Sequence, residues 1–162
     1  MKHSAKYIAV NACVAALYVA TTMPLTTIAT NPYIQFRPGE ALTVLPAVMP
    51  YCVPGLVVGC AISNIVSAFG IFDIVLGSLV TLVAALLTAF VFRNIWLAPL
   101  PPILLNAIAL PLIWLLGGGE SGIVSYLLQA GGLVVSQSVV CYGLGVPLTF
   151  AVRKKVLPLL DK

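Results

Sequence analysis

Apolar runs of about 20 residues recur along this chain, long enough for one helix to cross the hydrocarbon of a bilayer. The charged side chains fall almost entirely between those runs or at the chain ends. Only 7% of the residues are charged against 61% hydrophobic, whereas a soluble domain carries about 25% charge because its surface faces water. Disorder is excluded by the same balance, since disordered chains are polar and charged. The bilayer is the remaining solvent, and there the backbone must satisfy its own hydrogen bonds within helices.

The spans follow from the apolar runs. Tyr7 to Ala29 reads as the first membrane helix, too long for the apolar region of a signal peptide despite Lys2 and Lys6 upstream. After the polar and aromatic stretch 30–37, Pro38 opens a second helix, with Glu40 in its first turn near the positive helix end. Residues 41–69 are apolar but carry Pro46, Pro50 and Pro54, so two short helices are expected, turning near Val53–Pro54–Gly55. Ile71 to Phe92 gives a fourth span and Trp96 to Leu116 a fifth. The last run, Ile123 to Val152, is long for one crossing and contains Gly131–Gly132. It fits either one tilted helix or a short outer segment leading into a helix, closed by Arg153–Lys154–Lys155. The expectation is an all-α membrane protein of six transmembrane helices, forming a single transmembrane domain over residues 1–162.

Charge orients this count. Six spans bring both termini to one side together with Arg93, so that side collects Lys2, Lys6, Arg93, Arg153, Lys154, Lys155 and Lys162, leaving Arg37 on the other. Five spans would put the Arg–Lys–Lys cluster outside, against the positive-inside rule. Cytoplasmic N and C termini are expected. Glu40, Asp73 and Glu120 then fall at external ends, and Asp161 inside. The net charge of +4 belongs to this topology rather than to nucleic-acid binding, because no aromatics interleave the basic residues.

Several chemistries lack their parts. No Cys-x-x-Cys pair occurs among Cys13, Cys52, Cys60 and Cys141, and the one histidine is His3 near the N-terminus. No metal site and no cofactor is expected. None of the five lysines follows a glycine, so the Gly-Lys-Ser/Thr end of a phosphate-binding loop is missing. Energy for any transport must come from a partner or an ion gradient.

Polar groups inside the spans are costly unless paired, which makes them candidate site residues. Asn64 and Asn106 lie within spans, and Tyr126, Gln129, Ser136 and Gln137 share one helical face. Routine interhelical hydrogen bonding is the bland explanation. Together with Glu40 and Asp73 on the outer half, the set points to a ligand pocket. Arg37 and Glu40, three residues apart, either form a mutual interfacial salt bridge or present a carboxylate to an amine or guanidine-like edge, with Arg37 as a hydrogen-bond fork. Small residues recur every fourth position: Ala12, Ala16 and Ala20 on the first helix, and Gly55, Gly59, Ser63 and Ser67 on the third. Such stripes let backbones approach closely. Internal packing is the expectation for the third helix and a partner surface for the first.

The stretch Ile34–Gln35–Phe36–Arg37–Pro38–Gly39–Glu40–Ala41–Leu42–Thr43–Val44–Leu45–Pro46 resembles the signature of the QueT family, substrate-binding S components of energy-coupling factor (ECF) transporters. Gly59 to Asn64, Asp73 to Leu79, and Pro99 to Asn106 are similar to that family in the same order. The resemblance implies a multi-pass protein of the bacterial plasma membrane. By that resemblance it would capture a queuosine precursor, a deazaguanine base or queuine, from outside and work with an ECF scaffold subunit and two ATPases. It also implies Phe36, Arg37, Glu40, Asn64, Asp73, Asn106 and Gln137 as substrate-binding residues, with Tyr33, Phe36 and Trp114 as stacking surface. Ala12, Ala16 and Ala20 would dock the scaffold, and the loaded subunit would tilt within the membrane to release its cargo inside.

Three other readings compete. A stand-alone secondary transporter of a small amine-bearing or heterocyclic solute would use an acid as proton carrier, but no inverted repeat is evident. An intramembrane enzyme would need a second converging acid, base or metal ligand beside Glu40 or Asp73. A purely structural subunit would bind no ligand.

Overall fold

The computed structural model describes residues 2–29, 31, 33–67, 69–119 and 122–160, and all regular structure among these is helical. Glu120, Asp161 and Lys162 of the charge pattern lie outside the described residues. Helix α1 (Lys2–Thr22) continues through a 3₁₀ turn, Met23–Leu25, into the short α2 (Thr26–Ala29). A 3₁₀ rod, Pro38–Ala47, follows, then α3 (Val53–Ser63) between the turns Pro50–Cys52 and Asn64–Val66. The π turn Asp73–Gly77 leads into α4 (Ser78–Phe90), and α5 spans Leu100–Leu116. The last rod is continuous from α6 (Ile123–Val140) through the π turn Cys141–Gly145, α7 (Val146–Ala151) and the π turn Val152–Val156 to α8 (Leu157–Leu160).

Among the described residues, three helices are long and apolar enough to cross a membrane: Ala5–Leu25, Asp73–Phe90 and Ile123–Leu160. Pro50–Val66 and Leu100–Leu116 are apolar but shorter. The final rod has 38 residues, or about 57 Å at the α-helical rise, well beyond the hydrocarbon thickness. Arg153–Lys154–Lys155, expected to close that helix, instead lie within it. Their charges demand a polar surrounding, and the helix ladder carries on through it.

The proline-rich stretch is divided elsewhere than expected. The chain turns at Val48–Met49, where both N–H groups donate to the Leu45 carbonyl at 3.0 and 2.9 Å, and not at Val53–Pro54–Gly55. Pro54 sits in the first turn of α3, where a missing N–H leaves nothing unpaired. Before the turn, Pro38 and Pro46 bracket ten residues of 3₁₀ helix. Runs of that type rarely exceed four residues, and at about 2.0 Å per residue this one extends about 20 Å. Gly39 to Pro46 are all buried, so the rod is the centre of the bundle, in contact with α1, α4, α7 and the π turn Cys141–Gly145.

Lipid supplies no hydrophobic drive between helices, so close backbone approach does the packing. A Cβ on Gly55 would stand 2.5 Å from the Asn11 carbonyl oxygen, and one on Gly59 would stand 2.8 Å from Tyr18 Cβ and 3.1 Å from the Ala15 backbone. The third-helix stripe is thus an internal contact between α1 and α3, which run in the same direction. Gly131–Gly132 does not break the helix: α6 continues through both residues. Gly132 is needed because a Cβ there would overlap the Tyr33 carbonyl oxygen.

Both ends of the described chain meet at one end of the bundle, where Lys6 Nζ donates to the Leu160 carbonyl at 2.9 Å. Val10, Met49, Cys52, Ala85, Ala89 and Leu160 pack there in one apolar cluster. Arg93, one turn past Ala89, comes to the same end and donates to the Ala89 carbonyl.

Candidate functional site

The opposite end holds the polar residues. The turn after α3 and the π turn before α4 are laced by side chains. Arg37 Nη2 donates to Asn64 Oδ1 at 2.5 Å, while Asn64 Nδ2 donates to the Asp73 carbonyl at 2.8 Å. The Asp73 carboxylate accepts from Ser67 Oγ at 2.5 Å and from Trp114 Nε1 at 3.1 Å, with Trp114 stacked on Phe69 at 5.4 Å. Asn64 and Asp73 therefore have partners on their principal polar atoms. They fix the direction of Arg37 and hold α3, α4 and α5 together. The expected free stacking face of Trp114 is covered by Phe69 on one side.

Arg37 and Glu40 are 5% and 2% exposed, yet the salt bridge between them does not form. Glu40 Oε1 accepts from Tyr18 Oη at 2.5 Å, and Arg37 points to Asn64. The Arg37 guanidinium stands in the electrostatic field of both the Glu40 and Asp73 carboxylates. Opposite charges in the neighbourhood are how such groups are tolerated away from water.

The decisive feature is a local hydrogen-bonding deficit. Among the described residues, six buried side-chain atoms lack a partner: Thr22 Oγ1, Gln35 Oε1, Arg37 Nε, Glu40 Oε2, Ser63 Oγ and Ser78 Oγ. Thr22 lies against Gly39, Gln35 to Glu40 are one short stretch, and Ser63 is one turn beyond Gly59 on the α3 face that meets α1. Leaving a buried polar atom unmade costs about 1–3 kcal/mol, more for charged groups. Such atoms are normally scattered and rare. Four of them, on Thr22, Gln35, Arg37 and Glu40, belong to or lie against the single stretch from Gln35 to Glu40.

The other expected site residues are more dispersed. Asn106 is buried on α5 but outside this bonded set. Gln137 Oε1 takes a weak Sγ–H bond from Cys141 at 3.8 Å, and that thiol also leans on the Glu40 carbonyl oxygen at 3.6 Å, so Gln137 borders the rod at one remove. Phe36 is half-buried, its N–H donating to the Ile28 carbonyl at 3.4 Å. Tyr33 is exposed on the loop that crosses Gly132. Tyr126 donates to the Ile108 carbonyl at 3.1 Å, while Gln129 and Ser136 bond within their own helix. Ala12, Ala16 and Ala20 are exposed along the outward face of α1.

Sequence reasoning missed Tyr18, Thr22, Gln35 and Ser67. Tyr18 and Thr22 look like ordinary members of an apolar helix. Gln35 sits inside the signature stretch, and only its position there could have drawn notice.

A helical bundle with membrane-crossing segments, whose buried charged cluster gathers at one end, defines an integral membrane protein. Residues 8–154 match the family model described as QueT transporter, and the chain belongs to that family. It is accordingly a membrane transport protein and not an enzyme. No curated protein and no solved structure matches the chain.

Proposed function

We infer that this protein is the substrate-capture (S) component of an ECF-type importer and binds a queuosine precursor, a deazaguanine base or queuine, at the cluster around Glu40. The observation that carries the reading is the buried Glu40 carboxylate, whose Oε2 has no partner beside the clamped Arg37 guanidinium. An N–H-rich heterocycle or an amine would complete it. Asn64 and Asp73 act as the frame, with Phe36, Asn106 and Gln137 as the surrounding wall.

Family membership supports transport, and the lack of a Gly-Lys-Ser/Thr sequence is in keeping with ATPases carried on other subunits. Six membrane-spanning segments with cytoplasmic termini suit the gathering of Lys6, Arg93 and Arg153–Lys155 at one end. In the bacterial plasma membrane the Glu40 end then faces outside. The exposed Ala12, Ala16 and Ala20 give a smooth face against which a scaffold helix can lie closely. Capture outside, tilting of the loaded subunit and release inside complete the cycle.

Calorimetric titration of the purified protein with queuine and with aminomethyl-deazaguanine tests this. One-to-one binding that weakens about 10- to 100-fold in Glu40→Gln is expected, the range for a lost charged hydrogen bond. Absence of binding by the folded protein overturns the ligand assignment. The buried carboxylate would equally serve a stand-alone carrier that moves a proton with its solute. Uptake into liposomes by this chain alone would favour that carrier, and uptake that needs the ATPase subunits favours the S component.

A further inference from the structure

Three of the unpartnered atoms belong to one stretch of six residues and differ in kind. Gln35 Oε1 and Glu40 Oε2 are acceptors, and Arg37 Nε is a donor. Their side chains are 2%, 2% and 5% exposed respectively, so bulk water does not reach them freely. The backbone at Arg37 is extended, with φ −120° and ψ 95°. A separation of two on extended chain puts Gln35 and Arg37 on one face. The 3₁₀ turn then brings Glu40 back, its N–H donating to the Arg37 carbonyl at 2.9 Å. Two of the three groups are held from behind: Arg37 by Asn64 and Glu40 by Tyr18. Their free atoms are thereby aimed rather than floppy.

Two acceptors and a donor complement one planar edge well, that of a 2-amino-4-oxopyrimidine ring. Such an edge offers an exocyclic amine, a ring N–H and a carbonyl oxygen in a row. An adenine-like edge, an amine beside a bare ring nitrogen, would leave one acceptor facing another. We propose that Gln35 is the specificity residue of the site: its Oε1 accepts from the exocyclic amine, while Glu40 Oε2 takes the ring N–H and Arg37 Nε donates to the carbonyl. The assignment rests on the preceding reading that the Glu40 cluster is the ligand site, and it adds which side chain reads which atom. A site whose acceptors are left facing an analogue without the matching N–H rejects that analogue strongly, because desolvated groups then stay unpaired.

The test compares 7-deazaguanine with 7-deazahypoxanthine, which lacks only the amine, by calorimetry on the full-length protein and on Gln35→Met. The wild-type protein should favour 7-deazaguanine by about 10-fold or more. In Gln35→Met that preference should collapse to about 2-fold, with the melting temperature showing that the variant is folded. Equal affinity of the wild type for the two bases overturns the assignment, whether or not the variant can be purified. Retention of the preference in folded Gln35→Met also overturns it, while leaving Glu40 as the ligand site. Binding of neither base by the folded wild type removes the site reading itself.

Discussion

The interface between α1 and α3 has two ends, and they treat polar atoms in opposite ways. At the terminal end, Asn11 spends everything it has. Its Nδ2 donates to the Tyr7 and Tyr51 carbonyls at 2.8 and 2.9 Å, and its Oδ1 accepts from the Gly55 N–H at 2.6 Å. At the other end, Thr22, Ser63, Gln35, Arg37 and Glu40 each keep a buried atom unbonded. The same helix pair thus carries a polar group that serves as glue and a polar cluster that waits for a partner. Burial alone does not separate the two roles, and neither does residue type. What separates them is whether the hydrogen-bonding inventory closes within the protein.

The largest effect on that contrast should come from forcing the helices apart. Gly59→Leu places its side chain into Tyr18 and the Ala15 backbone, and an overpacked contact of that kind should cost about 3 kcal/mol or more. Loss of folded protein on size-exclusion chromatography is the expected result, and normal yield would show that the α1–α3 contact is softer than its geometry. Asn11→Ala comes next. It removes the partner of the Gly55 N–H and the bonds to the Tyr7 and Tyr51 carbonyls, so the midpoint of detergent-induced unfolding should drop by the equivalent of about 2 kcal/mol, with base affinity intact in the surviving fold.

Glu40→Gln should show the reverse signature. Removing an incompletely bonded buried charge should leave the ligand-free melting temperature unchanged or slightly raised, while affinity falls as described above, the trade-off expected of a functional site. A marked drop in ligand-free stability would instead make Glu40 a structural partner of Tyr18 and erase the contrast with Asn11. The smallest effect on the isolated chain belongs to Ala16→Leu, at an exposed position, with stability shifted by no more than about 0.5 kcal/mol. Its consequence should appear only on reconstitution with the scaffold and ATPases, as lost co-purification.

Much of this was legible beforehand for a physical reason. Lipid admits few backbone solutions, so apolar run length and scarcity of charge led directly to an all-helical membrane protein. Glycine periodicity on the third helix gave its packing face correctly. The proline-rich stretch was misdivided because proline marks both helix starts and helix breaks, and Pro54 starts α3 while Pro46 lies inside a 3₁₀ rod. Glu40 and Arg37 stand out as rare charges at a span end; their spacing left open a mutual salt bridge or a carboxylate presented to a ligand, and Tyr18 and Asn64 pre-empt the first.

Alone, the sequence determined the solvent, the helical class and the family signature around Arg37 and Glu40, because each depends on composition or on order along the chain. The tertiary structure alone decided which polar atoms are consumed and which are left over. Tyr18 comes from 22 residues away to occupy one oxygen of Glu40, and Trp114 comes from 41 away to occupy Asp73. A hydrogen bond is a relation between two groups in space, so no single position in the sequence records whether it has been made.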